Sequence, residues 1–98
     1  MRVFVYGSLK KGFNNNDLLE KREPTPSILF GYSLYVADHL FFPYACKDDD
    51  GYIFGEVYEI DRTIRNRLDF LEGHPSHYRR CRRLALVDGE WKRVWVYL

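Results

Sequence analysis

Val5-Tyr6-Gly7-Ser8-Leu9-Lys10-Lys11-Gly12 decides how this chain is read, because an apolar N-terminal strand, Met1 to Val5, runs straight into a Gly/Ser turn. Val3-Phe4-Val5 is stiff and suited to a half-buried strand, whereas Gly7 lacks a Cβ and lets a ligand or another backbone approach closely. Successive N–H groups at such a turn form a concavity that suits a carboxylate or phosphate. Most Gly-Ser turns simply reverse the chain, so the weight of this one depends on what converges on it.

The 98 residues are enough for one unit, 1–98, built around one core; 46% hydrophobic and 17% aromatic content suits a compact globule. Fifteen Lys and Arg against 14 Asp and Glu leave a formal charge of +1, so no global field recruits nucleic acid or an acidic membrane. No stretch approaches the roughly 20 apolar residues of a membrane span, and the N-terminus does not read as a signal peptide. The expectation is a soluble, cytoplasmic protein. Free, buried thiols are expected for Cys46 and Cys81, although a disulfide between them stays open.

Arg2 to Tyr6 reads as the first strand, and Asp17 starts a short helical turn through Leu18 and Leu19. Pro24 and Pro26 forbid regular helix, and Ile28 to Val36 offers aromatic and β-branched residues for a second strand, with Gly31 marking a bulge or a close approach. A third extended piece covers Phe41 to Cys46, and Lys47-Asp48-Asp49-Asp50-Gly51 reads as a solvated turn. Calcium binding there would need further oxygen ligands where Tyr52, Ile53 and Phe54 stand, and is discarded. Tyr52 to Ile60 gives another strand. Asp61 suits the N-cap of a helix from Arg62 to Glu72, with Ile64, Leu68 and Leu71 on one face, Gly73 closing it and Pro75 preventing its continuation. The chain finishes as a hairpin, Tyr78 to Val87 and Glu90 to Leu98, around Asp88-Gly89. Its register pairs Leu86 with Trp91 and Arg82 with Trp95, the second pair offering a cation–π contact. Strands with one good helix and no βαβ alternation argue for an antiparallel or mixed sheet curled around one core, an α+β fold.

Glu72 is the candidate for chemistry. It ends the helix about 80° round from Ile64, beside the apolar stripe. The negative end of the helix dipole and partial burial both push its pKa upward, as a general acid/base requires. The plainer alternative is an exposed Glu paired with Arg65 or Arg79. Asp69 lies about 60° further round, toward solvent, and reads as a residue that caps or orients the turn at Gly73. His74 and His77 have ligand-like spacing but no acid or thiol beside them, so no metal site is expected. Ser8 has no Gly-x-Ser-x-Gly elbow around it and reads as a contact residue. Strand alternation splits Arg79-Arg80-Cys81-Arg82-Arg83 between two faces, which favours a solvated edge with ion pairs over a nucleic-acid surface.

Several motifs together resemble the γ-glutamylcyclotransferase family in the broad sense, including the γ-glutamylamine cyclotransferases and the AIG2-like proteins: Phe4 to Gly12 with Asn15 after it, Phe42-Pro43-Tyr44-Ala45, Gly55-Glu56-Val57-Tyr58, Leu68 to Pro75 with Tyr78 and Arg79, and Trp95-Val96-Tyr97. The resemblance spans nearly the whole chain. It implies a small mixed, mostly antiparallel β-barrel with one principal helix and short helical turns. It also implies a reaction in which the α-amine of a γ-glutamyl compound attacks its own side-chain carbonyl, closing 5-oxoproline and expelling an amine or amino acid, with no cofactor or metal. Mapped onto this chain, Glu72 moves the proton, the N–H groups of Gly7, Ser8 and Leu9 hold glutamyl oxygens, and Tyr6, Tyr78 and Tyr97 line the pocket.

Ser8 stands where many relatives have Thr, which preserves the hydroxyl. The chain is short beside the family, so segments that cover the pocket elsewhere are expected to be missing, and substrate preference does not carry over. The alternative to an enzyme is a non-catalytic module on the same fold that binds a small carboxylate or a partner protein. The residues that read the leaving amine are expected in Asn14 to Ser27 and Ala37 to Tyr44. The other partner expectations are no nucleic acid, no membrane, and a monomer or weak dimer, with Phe41 and Phe42 packing in the barrel.

Overall fold

The computed structural model describes residues 1–36 and 43–98. Five strands, β1 (Arg2–Val5), β2 (Thr25–Tyr35), β3 (Tyr44–Glu59), β4 (Arg80–Val87) and β5 (Glu90–Tyr97), close into a barrel in the order β1-β3-β2-β4-β5. Neighbours run antiparallel except β1 and β5, which are parallel and share the single ladder pair Val3 and Trp95. Among the described residues one helix, α1 (Arg62–Glu72), and a 3₁₀ turn, Asn16–Leu19, lie outside the barrel. The mixed, mostly antiparallel barrel with one principal helix is thus the architecture found.

The expectation of one core is corrected by two apolar layers. Phe4, Leu29, Ile53, Val57, Ala85, Val87, Val94 and Val96 fill the barrel. Val3, Val5, Tyr58 and Tyr97 instead pack outward against Leu19 and the helical residues Ile64 and Leu68. Strand alternation sends Phe4 inward and its two neighbours toward α1, so β1 is buried on both faces rather than half buried. This explains its unbroken apolar run. The helix docks through Ile64 and Leu68, both 0% exposed, each burial contributing about 1.5–3 kcal/mol.

Local signals set the ends of α1 as the sequence expects. The Ile64 N–H donates to Asp61 Oδ1 at 2.8 Å, and Gly73 closes the helix in the left-handed region at φ 67°, its N–H donating to Phe70 O. The hairpin register is also the expected one, and the Arg82 guanidinium lies 4.2 Å from the Trp95 ring centroid.

Residues 47–51 depart from expectation. They do not separate two strands; Lys47 to Gly51 lie within β3, which is 16 residues long. The register on β2 jumps from Phe30 opposite Tyr52 to Tyr32 opposite Lys47, so the acidic run is absorbed as a large bulge opposite Gly31. The Ser33 hydroxyl donates to Asp48 Oδ2 at 2.6 Å, and the Asp50 N–H donates to Asp48 Oδ1. At Gly51 a Cβ would fall 2.6 Å from Tyr32 O, so the bulge closes only on glycine. The turn chemistry was legible; that the chain continues instead of reversing depends on the partner strand. β2 starts at Thr25, and Pro26 is tolerated because β2 pairs with β4 only from Ser27 onward. The expected piece from Phe41 and the packing of Phe41 and Phe42 fall on residues outside those described.

Gly55 governs how β3 lies against β1. A Cβ there would stand 2.5 Å from Phe4 Cζ and 2.5 Å from Val5 O. Gly55→Ala is therefore expected to cost about 1–3 kcal/mol, as overpacking does. Urea unfolding followed by tryptophan fluorescence measures it, and a loss below a few tenths of a kcal/mol would mean β1 and β3 are not so closely appressed.

Candidate active site

At the open end of β1 the chain turns three times in succession, and its carbonyls are all drawn away from one side. Gly7 O accepts the Lys10 N–H (3.0 Å), Ser8 O accepts the Asn15 N–H (3.0 Å), and Leu9 O accepts Asn16 Nδ2 (2.8 Å). The amides of Gly7, Ser8 and Leu9 donate to no protein acceptor among the described residues. A Cβ at Gly7 would meet nothing within 4 Å, so the loop borders open space there. Asn15 Nδ2 donates to Ser8 Oγ at 2.8 Å, which leaves the Ser8 hydroxyl proton free to donate elsewhere.

A cavity of about 370 Å³ collects these groups. Gly7, Ser8 and Leu9 line it from the loop, Leu71 and Glu72 from the end of α1, and Tyr6, Tyr78 and Tyr97 from the walls. All seven site residues expected from the sequence therefore border one space. Phe4, Val5, Asn14, Asn15 and Pro43 complete the lining. Of the segments expected to contact the leaving group, Asn14, Asn15 and Pro43 line the cavity, while residues 37–42 lie outside those described.

Glu72 is half-buried, and it forms no ion pair among the described residues. The alternative pairing with Arg65 or Arg79 is absent there. Loss of solvent around the carboxyl raises its pKa above the ordinary carboxylate value. Tyr78 is tied to the same place, its N–H donating to Glu72 O at 3.2 Å. Burial first, and the Glu72 carboxylate second, raise the Tyr78 pKa. The other two tyrosines have committed hydroxyls: Tyr6 donates to Tyr97 O at 2.6 Å, and Tyr97 donates to Asp69 Oδ1 at 2.7 Å. Burial is the main cause of the upward pKa shift at both. Both offer the cavity ring faces and edges; the Tyr78 hydroxyl alone of the three makes no hydrogen bond among the described residues.

Asp69 does not face solvent as the helical angle suggested. Its carboxylate accepts the Tyr97 hydroxyl and stands 3.5 Å from the Arg80 guanidinium, with both partners of the ion pair mostly shielded. The hairpin folds over this side of α1 and covers it, which a helical wheel cannot register. Asp69 O still accepts the His74 N–H, so the residue does also anchor the turn at Gly73. His74 Nδ1 accepts the Arg80 N–H at 2.9 Å. No group of three metal-ligating side chains occurs among the described residues. The arginine run divides as alternation requires: Arg80 and Arg82 flank the Trp95 ring, while Arg83 Nε donates to the Tyr32 hydroxyl. Cys46 and Cys81 are free thiols, both partly exposed rather than buried. Among the described residues no helix is long and apolar enough to cross a membrane.

With this geometry in place, a family model described as gamma-glutamyl cyclotransferase, AIG2-like, matches residues 3–98. The chain belongs to that family. A Methanocaldococcus jannaschii protein named among the gamma-glutamylcyclotransferases is 38% identical over 104 residues, covering 97% of this chain and 81% of its own length. An Escherichia coli protein named as a gamma-glutamylcyclotransferase family protein is 30% identical, covering 100% of this chain and 81% of that protein. The crystal structure of an AIG2-like protein from Mus musculus superposes with a TM-score of 0.85 at 26% identity, over 98% of this chain and 74% of the mouse chain. The barrel with α1 outside it is thus the AIG2-like fold.

Sequence reasoning missed the packing roles of Asn15, Asn16 and Asp69. The first two were signalled by the run Asn14-Asn15-Asn16 directly after a turn rich in unpaired backbone, where amide side chains commonly complete the bonding.

Proposed function

We propose that the protein is a cofactor-free cyclotransferase that converts a γ-glutamyl amine or γ-glutamyl amino acid to 5-oxoproline and the free amine or amino acid. The observation carrying this reading is that three backbone N–H groups without acceptors among the described residues and one carboxyl of raised pKa border the same cavity. Glutamyl oxygens accept from the amides of Gly7, Ser8 and Leu9, which fixes the chain in a folded conformer. The α-amine then attacks the γ-carbonyl carbon. A ring C–N bond forms, the original amide C–N bond breaks, and Glu72 takes a proton from the attacking nitrogen and returns it to the departing one.

A single carboxyl suffices because the proton leaves and returns within one turnover. Its raised pKa brings it closer to neutrality, where acid and base forms are both accessible. Because the attack is intramolecular, holding the folded conformer supplies several kcal/mol of the kind that proximity provides. Tyr6, Tyr78 and Tyr97 form the walls that limit water. Membership in the family supports this chemistry, as does the lack of acceptors for the loop amides among the described residues.

Incubation with a panel of γ-glutamyl amino acids and γ-glutamylamines, read by 5-oxoproline release, tests the reading. Turnover of at least one member is the expected result. Calorimetric binding of 5-oxoproline with no turnover of the whole panel would overturn the enzymatic assignment in favour of a binding module.

A further inference from the structure

The amides that carry the proposed function sit on a loop, and loops hold a geometry only when something fixes it. Four hydrogen bonds form a closed circuit around this one. The Lys11 N–H donates to Glu56 Oε1 at 2.8 Å, and the Tyr58 hydroxyl donates to the same oxygen at 3.3 Å. Asn16 Nδ2 donates to the Tyr58 hydroxyl oxygen at 3.0 Å and to Leu9 O at 2.8 Å. The donor count closes: the two hydrogens of the Asn16 amide serve two acceptors, and Tyr58 accepts one proton while donating its own. From Leu9 O the circuit runs through Asn16, Tyr58 and Glu56 to Lys11 N, and the backbone of Lys10 completes it.

Two features make this circuit a rigid post. Glu56 and Tyr58 stand two residues apart on β3, so they share a face, and β3 pairs with β1 at Val5 opposite Glu56, immediately before the loop. Tyr58 is 0% exposed and packed between the barrel and α1. The loop is therefore referenced to the interior of the protein. Burial raises the Tyr58 pKa in the same sense, keeping the hydroxyl a donor.

We infer that Glu56, Tyr58 and Asn16 are positioning residues that hold the Leu9 carbonyl and the Lys11 amide outward and so fix the end of the loop, from which the preceding peptide groups present the amides of Gly7, Ser8 and Leu9 to the cavity. They touch no substrate. Their effect belongs to ground-state binding of the glutamyl unit, and is separate from proton transfer at Glu72. This rests on the reading of the loop as the glutamyl cradle.

Glu56→Ala, Glu56→Gln and Tyr58→Phe in the full chain test it by three readings: amide hydrogen exchange at Leu9 and Lys11, the dissociation constant for 5-oxoproline, and KM against kcat on any γ-glutamyl compound turned over. Glu56→Ala should speed exchange at Lys11 and raise KM and the 5-oxoproline dissociation constant about tenfold, as loss of a hydrogen-bonded anchor does, with kcat and its pH profile little changed. Tyr58→Phe should give a smaller change of the same kind. Glu56→Gln keeps an oxygen acceptor and should recover most of the affinity. Should Glu56→Ala fail to fold, Tyr58→Phe and Glu56→Gln still give all three readings. Wild-type exchange at Lys11 and unchanged KM in the folded variants would overturn the inference, as would a loss confined to kcat. If the wild type turns over no γ-glutamyl compound, the cyclotransferase reading fails, while the exchange rates and 5-oxoproline affinity still judge the circuit.

Discussion

Glu72→Gln is expected to slow 5-oxoproline release by about 10²- to 10⁴-fold, the loss that follows when a positioned acid/base is replaced by an amide of the same shape. The same variant is expected to be no less stable at neutral pH. Burial raises the folded-state pKa of Glu72 above its unfolded value of about 4.3, so the ionised side chain is disfavoured in the fold. For a group shifted upward, native stability is fully retained below the unfolded value and declines as pH rises through the folded one. Glutamine carries no such dependence. The thermal midpoint of Glu72→Gln therefore exceeds that of the wild type near pH 7, and the difference closes on acidification toward pH about 4. Thermal scans across that range, run beside the release assay, check both halves. Equal rates for the two proteins remove Glu72 from the chemistry; a stability gap that widens in acid contradicts its burial.

Phe4→Ala is expected to cost about 3–5 kcal/mol, the range for deleting a buried aromatic side chain. Phe4 is 1% exposed, points into the barrel among Leu29, Val57 and Val96, and also forms part of the cavity wall. Against the roughly 5–15 kcal/mol of a typical domain this is a large fraction, and the variant should unfold at markedly lower urea. Gly55 couples to it: the Phe4 ring occupies the space a Cβ at Gly55 would need. Phe4→Leu combined with Gly55→Ala should then cost less than the two single changes added, since residues in contact are not independent. Strict additivity would show that the ring and the glycine do not meet as described.

The parts legible in the sequence are those set by local physics. Asp61, the apolar spacing of Ile64 and Leu68, and Gly73 define α1 within a dozen consecutive residues. Asp88-Gly89 sets the hairpin register by itself. The catalytic candidate and the loop were also local signals, one at the end of the helix and one at the end of β1. What the sequence hid is set by distant partners. Asp69 changes from surface to a largely shielded ion pair because Arg80 and Tyr97 fold across it. The acidic run of β3 becomes a bulge only because Gly31 and Ser33 of β2 stand opposite. The circuit through Glu56 and Tyr58 joins residues some 45 positions apart, and the sequence marked those residues only through a family resemblance that assigns them no task.

The single ladder pair between Val3 and Trp95 has a mechanical consequence. Where β1 and β5 part, the Tyr6 hydroxyl donates across the gap to the Tyr97 carbonyl, so these two segments are riveted rather than zipped. The least redundant joint of the cylinder is thus also a wall of the cavity. An occupant touching both sides would brace that joint, adding stability according to how far its concentration exceeds its dissociation constant. Recognition and closure of the cylinder would then be two descriptions of one equilibrium.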